Sequence, residues 1–116
     1  MDYIEVEVNG LKLPFIFDTG ASNICISLAE ALTMWRSGTL TDEDVHELVE
    51  MQDATGRVSE AHWIKLRTVR IGNRTLHNVD ALVIDNIDAP LLLGQSAIGR
   101  FGRYTVDNDK RVIILE

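Results

Sequence analysis

Apolar and polar positions alternate over residues 3–8: Ile4, Val6 and Val8 fall on one side, Tyr3, Glu5 and Glu7 on the other. A period of two predicts a half-buried strand. Asn9-Gly10 follows, and this pair favours a type I′ hairpin turn because both central residues there need positive φ. The return strand runs from Leu11 to Phe17, with Leu11, Leu13, Phe15 and Phe17 on one face. Pro14 lacks a backbone donor and marks an edge or a local break. After the turn Asp18-Thr19-Gly20-Ala21-Ser22, a short strand is predicted from Asn23 to Ile26. Ser27 and Glu30 have the spacing of a capping box, and Leu28, Ala31, Leu32 and Trp35 share one side of the helix they open. Gly38 ends that helix. Thr41 and Asp44 repeat the signal and predict a second, acidic helix reaching about Val49.

Strand patterning returns at Met51. Asp53-Ala54-Thr55-Gly56-Arg57 reads as a hairpin tip between Met51 and a strand from Val58 to Leu66. Val69 and Ile71 extend it to a turn at Gly72-Asn73, and Leu76, Val79, Leu82, Val83 and Ile84 form the next extended stretch. Asp88-Ala89-Pro90 breaks it. Leu91-Leu92-Leu93 is a short apolar run, followed by Gly94 and a helix predicted from Gln95 to about Phe101. Tyr104-Thr105-Val106 pairs with Val112 to Leu115 across Asp107-Asn108-Asp109-Lys110. The expectation is one mostly β domain over residues 1–116, with two or three short helices.

Composition narrows the function classes. The 116 residues are 46% hydrophobic and 25% charged, which suits one globular domain. Eighteen acidic residues against eleven basic ones give a net charge of −7, and no run of Lys or Arg offsets it. A nucleic-acid or anionic-membrane partner is therefore disfavoured. A single cysteine, Cys25, excludes an intrachain disulfide and multi-cysteine zinc patterns. No apolar stretch reaches the roughly 18–20 residues of a membrane span. The N-terminus enters a strand directly, without signal-peptide architecture. The sequence is equally compatible with a domain cut from a longer chain, and it does not specify a compartment.

The segment Phe15-Ile16-Phe17-Asp18-Thr19-Gly20-Ala21-Ser22 carries the candidate chemistry. It sets a carboxylate just past an apolar strand, inside a turn of small residues. The residues alone leave two readings open: an Asp that bonds its own backbone at a strand end, or one held rigidly and partly desolvated for catalysis. Other signals are weaker. His46, His62 and His77 have no metal-ligand spacing, and Asp42, Glu43, Asp44, Glu47 and Glu50 lack the spacing and central glycine of a calcium loop. No metal and no organic cofactor is expected. Cys25, between Ile24 and Ile26, reads as a small core residue, and nothing marks a base beside Ser22. Trp35 and Trp63 read as core or interface aromatics, Trp63 also being placed to face a substrate from the hairpin arm.

The order of these segments resembles the retropepsin-like aspartic proteases, the single-lobe relatives of pepsin. Phe15-Ile16-Phe17-Asp18-Thr19-Gly20-Ala21 is similar to their catalytic motif, and Ala54-Thr55-Gly56-Arg57-Val58 to the tip of their flap hairpin. Leu91-Leu92-Leu93-Gly94-Gln95-Ser96, with Ile98 and Phe101, is similar to their apolar-apolar-Gly strand and helix. The resemblance implies a closed, barrel-like β fold and an endopeptidase acting on peptide or protein substrates. It implies Asp18, Thr19 and Gly20 as the catalytic set, with Ala21, Ser22, Thr55, Gly56, Arg57 and Val58 against the substrate. Asp-Thr-Gly occurs once, so it further implies a homodimer, with Thr19 bonding across the two-fold axis and the strand-like chain ends contributing to the interface. Leu93-Gly94 is expected to pack beneath the Asp18 loop. Two departures stand out: a longer, more helical stretch from Thr33 to Glu50, and Gln95 where many viral relatives carry Arg. A rival expectation is a non-catalytic peptide-binding or dimerisation module on the same fold.

Overall fold

In the computed structural model, which describes residues 3–52, 55–110 and 112–115, the alternating N-terminal segment forms β1 (Tyr3–Val8) and β2 (Leu11–Phe17). They pair antiparallel from Val8↔Leu11 to Tyr3↔Ile16. Asn9 and Gly10 both have positive φ, 49° and 84°, as the type I′ turn requires. Beyond β1, β2 pairs only through Ile16 and Phe17, with the short strand β7 (Leu92–Leu93), so Pro14 falls on an edge segment.

The remaining strands of the main sheet are β3 (Ile24–Ser27), β4 (Val45–Gln52), β5 (Val58–Ile71) and β6 (Arg74–Ile84). Their order is β1-β2-β7-β3-β6-β5-β4, and β1 also pairs with β5 at Glu7↔Arg70 and Val8↔Val69. The second contact joins six strands into a ring and leaves β4 attached to β5 alone. This ring is close to the barrel-like architecture that the resemblance implied, and its strands bear out the mostly β reading of the residue pattern. Its interior holds Val6, Val8, Phe15, Ile24, Ile26, Ile64, Leu66, Val69, Val79 and Leu93, all 1% exposed or less.

Asn9 fastens the hairpin to its surroundings. Its side-chain oxygen accepts the backbone N–H groups of Arg67 (2.8 Å) and Thr68 (3.2 Å), while its amide donates to the Thr39 carbonyl (3.0 Å). A buried amide with these partners contributes about 1 kcal/mol per bond. One residue thus serves both the turn and the packing.

The helix α1 (Leu28–Ser37) begins and ends where predicted, with Gly38 in the left-handed region at its C-terminus. The Ser27 hydroxyl donates to the Glu30 carboxylate. Its buried face differs from the expected one. Ala31 and Met34 point inward, whereas Leu32 and Trp35 are 42% and 48% exposed. Met34 packs beneath Asn9 and takes the inner position that Trp35 was expected to fill.

The second predicted helix is corrected. Its capping box exists, with the Thr41 N–H and hydroxyl both donating to Asp44 Oδ2 (2.9 and 3.1 Å), but it opens only a 3-10 turn, Asp42–Asp44. From Val45 the chain is β4, paired with β5 from Val45↔Ile64 to Gln52↔Val58 with a bulge between Val45 and Leu48. Pairing with a long neighbouring strand overrides the local helical signal, and the acidic segment becomes one arm of the hairpin. The second helix, α2 (Gln95–Ile98), stops before the predicted Phe101. The terminal hairpin of β8 (Tyr104–Asp107) and β9 (Val112–Leu115) forms a separate sheet, tied back by an edge-on contact between Tyr104 and Phe17 at 5.4 Å. Asp53, Ala54 and Arg111, which belong to the predicted hairpin tip and terminal strand, lie outside the described residues.

Candidate active site

Asp18 follows β2 directly and is half-buried. Its backbone N–H donates to the Leu93 carbonyl (3.1 Å), extending the β2–β7 pairing by one residue. The Gly20 N–H donates to Asp18 Oδ1 (3.0 Å) and the Ala21 N–H to the Asp18 carbonyl (3.2 Å). The loop thus closes on its own carboxylate. The other oxygen, Oδ2, accepts no hydrogen bond from a described residue. Thr19 is exposed at the loop tip, and its hydroxyl likewise has no partner among the described residues.

A second layer holds this loop from below. The Gln95 and Ser96 N–H groups, at the start of α2, donate to the Ala21 and Ser22 carbonyls (2.8 and 2.9 Å). First-turn donors of a helix have no partner within it, so the loop and α2 satisfy each other. Gln95 Nε2 donates to the Thr19 carbonyl (3.1 Å). Ser96 Oγ accepts from the Ile24 N–H (2.9 Å) and donates to the Asp80 carbonyl (2.8 Å), which joins β3 and β6. Gly94 lies between these contacts, and Leu93-Gly94 packs beneath the Asp18 loop. Sequence reasoning treated Gln95 only as a departure and missed Ser96, because both act through backbone partners that only the fold brings close.

Strand register sets an apolar row on the Asp18 side of the sheet. Ile16 lies beside Leu92, Leu92 beside Cys25, Cys25 beside Leu82, and Leu82 beside Trp63. Burial first, and then the charge of Asp18, push the Cys25 thiol up to about 11. Cys25 therefore stays a neutral thiol, as its reading as a core residue required. At the far end of the row, Trp63 stacks on His46 at 5.2 Å and its Nε1 donates to Asp80 Oδ1 (3.1 Å).

Thr55, Gly56, Arg57 and Val58 sit apart from the loop, at the exposed end of the β4–β5 hairpin. Gly56 has φ 82°, a conformation that glycine adopts without steric cost. Among the described residues, no group of three or more His, Cys, Asp or Glu is placed to hold a metal ion, and no helix is long and apolar enough to cross a membrane.

Two carboxylates brace the hairpin base. Burial raises the Asp80 carboxyl, but the hydrogen bonds from Lys65 (2.6 Å) and Trp63 outweigh it and leave the group below its usual range. For Asp44, burial is likewise outweighed by Arg67 (2.9 Å) and Thr41. A lowered folded-state pKa stabilises the fold above the unfolded value of 3.8 and is lost as pH falls through the folded value beneath it. Both pairs therefore stay intact at mildly acidic pH. Asp80→Asn is expected to flatten the acid limb of unfolding midpoint against pH below about 4, with a small effect at neutrality because both partners are partly exposed. An unchanged acid limb in thermal denaturation would count against that role.

Comparison with known proteins places this geometry. The family model described as gag-polyprotein putative aspartyl protease matches residues 4–100. Among solved structures, the chain is similar to a retropepsin-like aspartic protease from Rickettsia conorii, with 28% identity, a TM-score of 0.67, and coverage of 98% of this chain and 88% of that one. It shares the fold of the EIAV protease complexed with the inhibitor HBY-793 (17% identity, TM-score 0.66, 90% and 91% covered). It also shares the fold of the retroviral protease-like domain of Ddi1 from Leishmania major (15% identity, TM-score 0.66, 100% and 88% covered). No curated protein sequence matches.

Proposed function

The chain belongs to the gag-type aspartyl protease family, and from that premise we propose that it is an endopeptidase whose active site is assembled from two copies. Each copy contributes one Asp18. Two carboxylates a few ångströms apart cannot both ionise easily, so the pair holds one proton. The ionised member takes a proton from a water held between them, and that water attacks the scissile carbonyl. The protonated member donates to the carbonyl oxygen. The titration belongs to the pair and not to either residue.

The observation that carries this reading is the Asp18 loop itself. One carboxylate oxygen is fixed by the Gly20 N–H, while Oδ2 and the exposed Thr19 hydroxyl are unpartnered within the described chain. A site of this kind is half a site, and a two-fold axis beside Thr19 completes it. Thr19 then bonds across the axis, and Gln95 steadies it through the Thr19 carbonyl without a charge. The substrate is an extended peptide with apolar side chains near the scissile bond. The row Ile16, Leu92, Cys25 and Leu82, half-buried except at the buried Cys25, supports that preference, because it gives such side chains an apolar wall beside Asp18. Gly20, Ala21 and Ser22 line the peptide backbone, and the hairpin bearing Thr55, Gly56, Arg57 and Val58 closes over it and excludes water.

The test is cleavage of a diverse peptide pool, read by mass spectrometry, with sedimentation run on the same samples. Activity per chain is expected to rise with protein concentration in step with the dimer fraction. Cleavage that persists at concentrations where only monomer sediments would refute the shared site.

A further inference from the structure

Side chains alternate along β5. Trp63 and Lys65 share the face of Cys25 and Leu82, whereas His62 and Ile64 point to the opposite side, beneath α1. There Leu32, Trp35, Val45, His62, Ile64 and Val83 border an apolar groove of about 140 Å³. The helix covers it only in part. Leu32 and Trp35 are 42% and 48% exposed, and the same face of the hairpin continues through Leu48, opposite His62, and Val58, at 53% and 59%. Four of the seven large apolar side chains left exposed among the described residues thus collect on one face. Apolar groups gathered at one place on a surface mark a contact site more often than scattered ones do.

Charge indicates what fits there. One pair beyond Leu48 and His62, the exposed Glu50 and Glu60 lie directly opposite each other on that face. Like charges in this position oppose strand pairing. Asp42 and Glu43, both exposed, precede Val45 at the other margin, while Arg36 is the only basic residue of α1. An apolar groove ending in opposed carboxylates complements an apolar side chain followed by cations.

We propose that this groove docks an extended segment of a partner protein in which a large apolar side chain is followed, two residues on, by Lys or Arg. Two residues of extended chain span about 7 Å, the separation of successive same-face positions such as His62 and Glu60. The apolar side chain rests over His62, beside Trp35. The cation sits between Glu50 and Glu60 and offsets their repulsion. The net charge of −7 draws such a segment in. Because the groove opens on the face opposite Cys25 and Leu82, docking there and peptide cleavage use separate surfaces.

The experiment uses Asp18→Asn protein, so that no probe is cut, and a fluorescein-labelled peptide carrying Leu followed two positions on by Lys-Arg. Anisotropy is expected to show saturable binding that weakens with salt. A peptide with Ser for Leu, or with Glu for both cations, is expected to bind at least about tenfold more weakly. Trp35→Ala and Leu32→Lys should each abolish binding, and Glu50→Gln with Glu60→Gln should reduce its salt dependence. Both α1 positions are close to half exposed, and unfolding midpoints verify that these variants fold. The proposal is overturned by no binding, by equal binding of all three peptides, or by competition from a transition-state inhibitor of aspartic proteases, which would place the peptide in the cleft. Self-association abolished by Trp35→Ala would overturn it too, since a second copy of the chain would then be the occupant.

Discussion

Asp18→Asn is expected to abolish peptide cleavage, by at least about a thousandfold, while fold and dimer persist. That factor corresponds to about 4 kcal/mol of lost transition-state stabilisation. The substitution is nearly isosteric, and an amide oxygen can still accept the Gly20 N–H that now reaches Oδ1 at 3.0 Å. What disappears is proton chemistry, because an amide cannot take a proton from water. Since each chain supplies one Asp18, a single substitution removes both members of the pair. Mixed dimers sharpen the test: with equal amounts of wild type and variant exchanging freely, about a quarter of dimers keep both carboxylates. Activity should fall to that fraction, whereas a site complete within one chain would retain half. The wild-type pH profile should peak at mildly acidic pH, where one proton per pair is most populated. Unaltered cleavage by the variant, or a maximum above neutrality, would remove Asp18 from its assigned role.

Much of this is legible in the sequence, for identifiable reasons. Period-two alternation with Asn9-Gly10 fixes a hairpin through local chemistry alone, and the structure places β1 and β2 accordingly. Asp18-Thr19-Gly20 stands out as a candidate, but its own chemistry leaves an ordinary strand-end turn equally open, and only the order of the flanking segments, which resembles the retropepsin-like proteases, decides between them. The segment from Thr41 was not legible, because its capping box is real and the competing force is distant. Fourteen residues of β5 provide an edge that β4 pairs with, and no local signal records that. The face of α1 was misjudged for a related reason. Met34 and Trp35 are adjacent and both apolar, and it is tertiary packing, including the contact of Met34 with Asn9, that turns Met34 inward. The support under Asp18 was hidden most deeply, since the Gln95 amide donates to the Thr19 carbonyl and Ser96 Oγ accepts from the Ile24 N–H, both partners more than seventy residues away in the chain.

That hidden support sets the second large effect. Gly94→Ala is expected to destabilise the protein by about 3 kcal/mol or more and to disable the site in whatever fraction remains folded. Gly94 has an extended backbone, so its conformation does not demand glycine. The space does. A Cβ there would lie 2.2 Å from the Asn23 carbonyl oxygen and 2.8 Å from that of Ala21. Both obstacles are backbone, and neither can rotate away. Relief requires the Asp18 loop and α2 to separate, which breaks the bonds from Gln95 and Ser96 to Ala21 and Ser22. Misplacement of a reacting group by about 1 Å can cost about a hundredfold in rate, so residual activity should fall further than the folded fraction. Gly20→Ala is the informative control. Its added Cβ meets only the Asp18 side-chain oxygen, at 3.3 Å, and should leave the unfolding midpoint far closer to wild type. Thermal unfolding with cleavage measured below the midpoint separates the two effects. If Gly94→Ala matched wild type in both, the loop would not depend on α2, and the rigidity ascribed to Asp18 would need another source.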